Sequence, residues 1–220
     1  MDRPSSDIAF TPSVKAAQVR LGSRDTYRRM ENKGGFRTAL TDDLMSFIAE
    51  RDSLYLASVS SEGQPYVQHR GGPKGFLRKV DDATLGITDF SGNRQYVTLG
   101  NLADNPKAFI FLMDYANRRR IKIWGEARVV EDDADLMAGL AMPGYREGRV
   151  ERAILFRVTA WDINCPQHIT PRHDVDAFAE ANQQILQQLA DLETENADLK
   201  RRLAAAGLAS EDSQEITAND

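Results

Sequence analysis

The segment KAFIFLMDYANRRRIKIWGEARVVE (residues 107–131) decides the fold class, because it has the pattern of a β-hairpin. Two arms rich in aromatic and β-branched residues flank a polar turn, and Ile121 and Ile123 alternate with Lys122 and Trp124. Further strands are predicted on both sides, at residues 54–60, 65–70, 76–80, 84–88 and 152–161. Several hairpins with few helices between them predict a mainly β fold of the α+β class, an antiparallel barrel rather than a parallel βαβ sheet.

Short helices are predicted to flank this barrel. Residues 14–21, 25–32 and 132–140 have helical patterns, and a short helix-like segment ends at residues 101–106. Thr41 is a good N-cap for a helix over residues 42–49, whose Leu44, Phe47 and Ile48 share one face and should dock on the core. The expected organisation has four parts: a helical extension (1–40), the barrel (41–172), a C-terminal helix (173–206) and a disordered tail (207–220).

The C-terminal segment has the heptad pattern of a coiled coil. Two interleaved series of every seventh residue form an a/d seam: Phe178, Ile185, Leu192 and Leu199, and Asn182, Leu189, Asn196 and Leu203. Glu195 falls at a g position and Lys200 at the following e position, so these side chains are able to pair between chains. We expect an intermolecular coiled coil, with a helix packed on its own barrel as the alternative.

Composition excludes several classes of protein. The net charge is −5, which does not favour nucleic acid or an anionic membrane as a partner. The single cysteine, Cys165, allows no internal disulfide and suits a reducing cytoplasm. No apolar run approaches the length of a membrane span, and the first residues lack the apolar centre of a signal peptide. A cytoplasmic protein is therefore expected.

Two polar segments are the candidate site. Residues 68–76 place Arg70 and Lys74 around three glycines, where a ligand is able to approach the backbone closely. Residues 88–95 follow a strand and offer a hydroxyl, free backbone N–H groups and the guanidinium of Arg94 where a helix begins, a combination typical of anion sites. The alternative is two surface turns with solvated charges.

These segments, together with residues 101–106 and 119–127, resemble the pyridoxamine 5′-phosphate oxidase-like family of FMN-binding split barrels, from about Thr41 to Trp161. The resemblance implies FMN as cofactor and a homodimer that holds FMN at its interface. It assigns Arg70, Lys74, Arg94 and Gln95 to the phosphate and ribityl chain, and Thr88 and Asp89 to the ribityl or isoalloxazine group. It places Arg120 where a family glutamine reaches the flavin of the partner. The predicted cofactor site is Arg70, Gly71, Gly72, Lys74, Thr88, Asp89, Asn93, Arg94, Gln95 and Arg120.

The chain departs from the family pattern in two places. Gln95 stands where a second phosphate-binding cation is common, and the Arg-x-His element that holds the substrate of true pyridoxamine phosphate oxidases is missing. Vitamin B6 oxidation is therefore not expected, and the chain resembles the uncharacterised flavoprotein branch. Instead, Gln167, His168 and Arg172 are predicted to line the flavin edge and bind substrate, or else to belong to a simple connecting loop.

Other sites are weaker hypotheses. Cys165, His168 and His173 lack a fourth ligand and a familiar zinc spacing, so no metal is predicted. Cys165 has no identifiable activating partner for a nucleophilic role. The basic run at residues 118–120, beside Trp124 as a stacking platform, is more typical of a solvated turn or an interface than of a nucleic-acid site.

The leading hypothesis is an FMN-dependent oxidoreductase acting on an unidentified small organic substrate, with no catalytic residue identified. The alternative is a non-catalytic flavin- or haem-binding sensor or scaffold that recruits a partner through its coiled coil. A coiled-coil DNA-binding regulator is disfavoured, because Asp174, Asp176 and Glu180 stand where a basic arm would need lysine and arginine.

Overall fold

A computed structural model describes residues 3–142, 144–145, 150–163, 166–173 and 175–208. Its strands are β1 (Ser53–Val59), β2 (Pro65–Gly71), β3 (Leu77–Lys79), β4 (Thr84–Phe90), β5 (Lys107–Asp114), β6 (Arg119–Val130) and β7 (Val150–Ile163). Its helices are α1 (Pro12–Arg20), α2 (Arg24–Glu31), α3 (Asp42–Ala49), α4 (Val97–Asp104), α5 (Ala134–Leu140) and α6 (Val175–Ala205), after a 3₁₀ turn at Ser5–Ile8.

The seven strands form one sheet in the order β2-β1-β5-β6-β7-β4-β3, and every pairing is antiparallel. The predicted hairpin of residues 107–131 is formed by β5 and β6, which pair Lys107 with Glu126 at one end and Asp114 with Arg119 at the other. The predicted mainly β, antiparallel α+β fold with flanking helices and a long C-terminal helix is confirmed.

The sheet curls around its own core. Alternate residues of the strands point into a single apolar cluster, as the two-residue period of a strand requires. The strand members of this cluster include Leu54, Leu56, Leu85, Ile87, Ile110, Leu112, Ile121, Ile123, Ile154 and Phe156. Arg70 of β2 also contacts Asp89 of β4, although five places separate these strands in the sheet order. The two edges of the sheet therefore approach each other, as in a half-barrel.

Local capping explains where two helices begin. The Thr41 hydroxyl accepts a hydrogen bond from the backbone N–H of Leu44 at 3.3 Å, and Leu44, Phe47 and Ile48 are buried, as predicted. Helix α5 begins at Ala134, two residues later than predicted, because the Asp133 side chain accepts from the N–H of Leu136 and acts as the N-cap.

An ion-pair network holds the N-terminal helices together. Glu31, at the end of α2, is buried and pairs with Arg24, while Lys15 of α1 lies 3.4 Å from it. The hydrogen bond from Arg24 holds the pKa of Glu31 below its ordinary value. The segment then joins the sheet through a backbone bridge between Arg37 and Trp161.

The chain divides into two compact units, Met1–Pro171 and Arg172–Asp220. The second unit contains the 31-residue helix α6, and the side chains of its predicted seam are exposed. Most of the tail predicted to be disordered, residues 209–220, lies outside the described residues. No described helix is long and apolar enough to cross a membrane.

Gly125 sits at the break in register between β6 and β7. A Cβ there would collide with the carbonyl oxygen of Arg157 and lie 2.5 Å from the ring of Phe156. We therefore expect Gly125→Ala to lower the free energy of unfolding by about 1–3 kcal/mol, the usual cost of overpacking, as measured by denaturant titration.

Gly100 provides the matched control, because a Cβ at this position in α4 meets nothing within 4 Å. Gly100→Ala should leave stability unchanged or raise it by up to about 1 kcal/mol, since alanine is the better helix former. Equal stability of the two variants would show that the β6–β7 contact is looser than described.

Candidate functional site

A cavity of about 220 Å³ lies where strands β2, β4 and β7 meet the loop 91–96 and the start of α4. Its lining is polar and charged on the strand side. The charged groups are Arg70, Asp89, Arg94, Glu151 and Arg152, and the remaining members include Tyr66, Gln68, Asn93, Gln95, Tyr96 and Thr98.

Asp89 forms the floor of this cavity with two arginines. It is the direct cross-strand partner of Arg152, whose Nη1 donates to Asp89 Oδ2 at 3.4 Å. Arg70 Nη1 donates to Asp89 Oδ1 from the opposite side. All three side chains are largely buried, so each charge needs the others as partners.

Gln68 joins the strand side of the cavity to α4. Its side-chain oxygen accepts from Arg70 Nη2 at 3.2 Å and from the Thr98 hydroxyl at 2.8 Å. A second buried bond, from Asn101 Nδ2 to the Ser58 hydroxyl at 3.0 Å, docks α4 on β1. The start of α4 is thereby held against the end of β2.

The loop 91–96 is held in an unusual backbone conformation. Arg94 and Tyr96 have positive φ angles of 60° and 55°, a left-handed conformation that costs a non-glycine residue about 1–2 kcal/mol. The Asn93 side chain stabilises the turn by accepting from the N–H of Gln95 at 3.2 Å. Backbone strain of this kind concentrates at ligand-binding loops.

Helix α4 presents uncapped N–H groups to the cavity. Its N-cap residue, Tyr96, makes no side-chain capping bond, and Val97 and Thr98 of the first turn line the cavity. Free N–H groups and the positive end of the helix dipole favour an anion here.

The arginines of the cavity differ in how many of their nitrogens have a hydrogen-bond or ion-pair partner. The three nitrogens of Arg152 bond to Glu131, Asp89 and Glu151. Burial alone would lower the pKa of Arg152, but these carboxylates raise it above its ordinary value. Arg70 Nε, by contrast, is buried without a partner in the described structure.

Arg94 is also open to a ligand. Its Nε donates to the Tyr96 hydroxyl at 3.1 Å, and this bond raises the pKa of Arg94. Its terminal nitrogens have no hydrogen-bond partner among the described residues. The cavity therefore offers the terminal nitrogens of Arg94 as unused donors, whereas both terminal nitrogens of Arg70 are bonded and its unpartnered Nε is buried.

Half of the predicted cofactor residues line this one cavity: Arg70, Asp89, Asn93, Arg94 and Gln95. They come from two predicted segments that are separate in sequence. Of the two segments, the first brings a largely buried Arg70 to the cavity, whereas residues 91–97 of the second, including Arg94, are exposed and form a surface loop.

The other predicted cofactor residues lie outside the cavity lining. The Thr88 hydroxyl donates to the carbonyl of Leu140 at 2.9 Å, and Lys74 Nζ lies 3.6 Å from Glu50. A Cβ on Gly72 would lie 2.9 Å from Phe76, so this glycine permits close packing, and its neighbour Gly71 ends β2. Arg120 lies in β6, away from the cavity, and its Nε is buried and unpartnered.

The predicted substrate-binding residues do not line the cavity either. Gln167 and His168 are exposed, and His168 has a positive φ of 62°. Arg172 belongs to the second unit. Cys165, considered above as a ligand or nucleophile, lies outside the described residues, and His173 joins no group of three potential metal ligands within them. The role of this loop stays a prediction.

Arg152 is the site residue that sequence reasoning missed. It was predicted only as the start of the last strand. Its position opposite Asp89 depends on the β4–β7 pairing, which joins residues 63 positions apart. The available signal was a charged residue beginning a strand that is otherwise apolar.

A second, more open groove of about 610 Å³ contains none of the predicted site residues. Its arginines are already engaged: Arg51 lies 3.5 Å from Asp114, and Arg37 and Arg119 stack over the rings of Trp161 and Phe47. The smaller cavity is therefore the better candidate for a charged ligand.

Comparisons with solved structures found several similar chains. HupZ of Group A Streptococcus is 18% identical, with a TM-score of 0.45, covering 61% of this chain and 99% of its own. An FMN-binding protein of Syntrophomonas wolfei is 15% identical, with a TM-score of 0.43 and coverages of 70% and 95%. HutZ, the haem storage protein of Vibrio cholerae, is 21% identical, with a TM-score of 0.40 and coverages of 56% and 94%.

A search of curated proteins gave no significant match. The family model described as pyridoxamine 5′-phosphate oxidase matches residues 40–163, which include all seven strands and the whole cavity lining. Since this match spans more than half of the sequence, the chain belongs to the pyridoxamine 5′-phosphate oxidase family.

Proposed function

We propose that the cavity beside Asp89 binds the phosphate end of FMN, and that the protein is an FMN-dependent oxidoreductase acting on a small organic substrate. The observation that carries this proposal is that Arg70 and Arg94 line one cavity together with an uncapped helix start, and that the terminal nitrogens of Arg94 have no partner among the described residues. Family membership supplies the expectation of a flavin.

The residues present fit a phosphate. Three guanidinium groups line the cavity against two carboxylates, and Glu131 outside the lining also pairs with Arg152, so Arg94 is the guanidinium that lacks a carboxylate partner among the described residues. Arg94 offers its terminal nitrogens as a fork, the geometry that suits phosphate oxygens. Asp89 and Gln68 hold the two terminal nitrogens of Arg70, so this guanidinium would contribute its charge to the site and Arg94 its free donors.

The cavity is too small for the complete cofactor. Pockets for ligands of this size usually measure about 300–1,000 Å³, against about 220 Å³ here. The remainder of the ligand must therefore lie on a surface beyond the cavity. We propose that a second copy of the chain supplies part of that surface, so that the working unit is a homodimer with FMN at its interface.

An aromatic outer face of the sheet supports this dimer. One cross-strand row consists of Val67, Ala57, Phe109 and Trp124, and its neighbour contains His69, Tyr55 and Phe111. These residues point away from the core; Tyr55 and Val67 are exposed, whereas Phe36 of the N-terminal segment stacks on Trp124. An apolar patch on an otherwise charged surface is typical of protein interfaces.

The division of labour follows from these contacts. Bound FMN would supply hydride or electron transfer, and the chain would supply binding and local charge. Arg94 and Arg70 would hold the phosphate, and Gln68 would keep Arg70 aligned with the start of α4. Asp89 and Arg152 act on Arg70 by orienting it, so they are positioning residues.

Arg94→Ala tests phosphate recognition. We expect the purified protein to be yellow, and the variant to bind FMN about 10- to 100-fold more weakly, the range for hydrogen bonds to a charged group. Riboflavin lacks the phosphate, so its affinity should change little. Fluorescence titration with both ligands measures the difference.

Arg128→Ala is the control, because Arg128 is an exposed arginine of β6 outside the cavity. The affinity of the Arg128→Ala variant for FMN should equal that of the wild type. The proposal fails if the wild type stays colourless in excess FMN, or if Arg94→Ala weakens riboflavin as much as FMN.

Val67→Arg tests the aromatic outer face. Val67 is 60% exposed on the edge strand β2, so the substitution should not disturb folding. In a dimer formed through this face it would bury an unpaired charge, and we expect the barrel interface to weaken about tenfold or more. The measurement is the dissociation constant of the dimer by analytical ultracentrifugation, alongside FMN affinity.

Gln64→Arg adds the same charge in the exposed turn after β1 and should change neither quantity. Because α6 offers a separate means of association, both variants are compared in chains that carry Leu192→Lys within the helix. An unchanged barrel association in Val67→Arg would place the interface elsewhere.

Helix α6 favours a second candidate function, a non-catalytic flavin- or haem-binding sensor or scaffold. The helix belongs to a compact unit separate from the cavity, and flavin chemistry does not require it. Turnover separates the two functions: repeated reduction and reoxidation of bound flavin with a reduced nicotinamide and oxygen supports the oxidoreductase, and flavin that does not cycle supports the sensor.

A further inference from the structure

Helix α6 exposes an apolar stripe along its whole length. The exposed fraction of its apolar seam residues runs from 47% at Leu199 to 78% at Val175. We propose that α6 pairs with α6 of a second copy as a parallel, in-register, two-stranded coiled coil. This inference rests on the seam alone and not on the proposed flavin site.

The stripe has a strict heptad spacing. Its a positions are Val175, Asn182, Leu189, Asn196 and Leu203, and its d positions are Phe178, Ile185, Leu192 and Leu199. Leu186 is the one leucine, isoleucine or phenylalanine of the helix outside this seam. A seam maintained over nearly four heptads favours a coiled coil over an amphipathic helix docked on a globular surface, which needs a wider stripe.

The two asparagines determine the orientation. In a parallel pair, a positions face a positions, and in register Asn182 faces Asn182 and Asn196 faces Asn196 of the second copy. Each amide then has another amide as its hydrogen-bond partner. A buried polar group without a partner costs about 1–3 kcal/mol. The parallel, in-register pair avoids this cost both at Asn182 and at Asn196.

Other arrangements leave amides unpaired. In an antiparallel pair, a positions face d positions, and every d position here is apolar. A parallel pair shifted by one heptad places every asparagine against an apolar residue, at position 175, 189 or 203. A shift of two heptads pairs one asparagine but loses about half of the seam. Asparagine at a positions is a known determinant of register and oligomeric state.

Charge complementarity supports the same arrangement. A parallel pair brings Glu195 at g beside Lys200 at the following e position of the other helix, twice by symmetry. Neither side chain makes a hydrogen bond or ion pair within the described residues. The contacts within the helix, such as Gln187 with Asp191 and Arg201 with Asp198, lie on its outer face.

Cysteine cross-linking in the full-length chain tests the proposal. Cys165→Ser removes the only native cysteine, and Phe178→Cys or Leu199→Cys then places one thiol at a d position. These positions lie about 30 Å apart along the helix. In a parallel, in-register pair each variant brings its two thiols together, and mild oxidation should convert most of the chain to a covalent dimer.

Arg201→Cys is the matched control, because it lies at an f position on the outer face and should give little covalent dimer. Cross-linking at both seam positions and not at residue 201 supports the proposal. An antiparallel or shifted pair cannot bring both seam positions together with their own copies, so a product at one position alone overturns it. Equal cross-linking at residue 201, or none at the seam, also overturns it.

A second measurement does not depend on disulfide formation. In the double variant Asn182→Leu and Asn196→Leu the seam becomes apolar throughout, so we expect assemblies larger than a dimer in sedimentation equilibrium and a higher melting temperature of the helix. If the wild-type helix melts at the same temperature at all protein concentrations and the double variant does not change its assembly, α6 does not pair with itself. FMN is absent from both experiments, so a failure of the flavin proposal leaves them unaffected.

Discussion

The buried carboxylate of Asp89, held between Arg70 and Arg152, is the interaction on which the candidate site depends. It joins three strands, and two of them, β2 and β4, are far apart in the sheet order. Breaking a buried ion pair by removing one partner costs about 3–5 kcal/mol, because the other charge is left uncompensated. The pair between Arg70 and Asp89 requires that β2 and β4 lie close together, and the curl of the sheet in turn fixes where Arg70 lies.

The same arrangement explains why the cavity still offers donors. Arg152 is saturated by three carboxylates, and it shares one of them, Asp89, with Arg70. The left-handed backbone at Arg94 and Tyr96 presents a second guanidinium from the loop. Holding these cations near one another lowers the stability of the folded protein. An anionic ligand bound between them would raise that stability.

Two apolar surfaces of the chain are exposed in the described structure, the part of the aromatic outer face around Tyr55 and Val67 and the seam of α6. They differ in kind. The outer face is broad and carries aromatic rings and Arg120 close together, which suits an interface that contributes to a ligand site. The seam is narrow and carries amides at fixed spacing, which suits register and orientation.

The sequence by itself determined the features that depend on neighbours along the chain. Alternation in residues 107–131 determined the hairpin, Thr41 determined a helix start, and the seventh-residue spacing from Phe178 to Leu203 determined the long helix. These are local periodicities with a direct physical cause in the geometry of strand and helix. The segments around Arg70 and Arg94 were also identified from local chemistry, as glycine-rich or helix-preceding stretches with cations.

Only the tertiary structure decided which of those residues meet. The strand order β2-β1-β5-β6-β7-β4-β3 brings Arg70 to Asp89 and pairs Asp89 with Arg152, whereas Lys74 and Thr88 turn to partners elsewhere. No local pattern contains that order, because it results from pairing strands that are dozens of residues apart and from packing one shared core. The physical reason is that propensity acts over a few residues, while a charge site is assembled by contacts across the whole sheet.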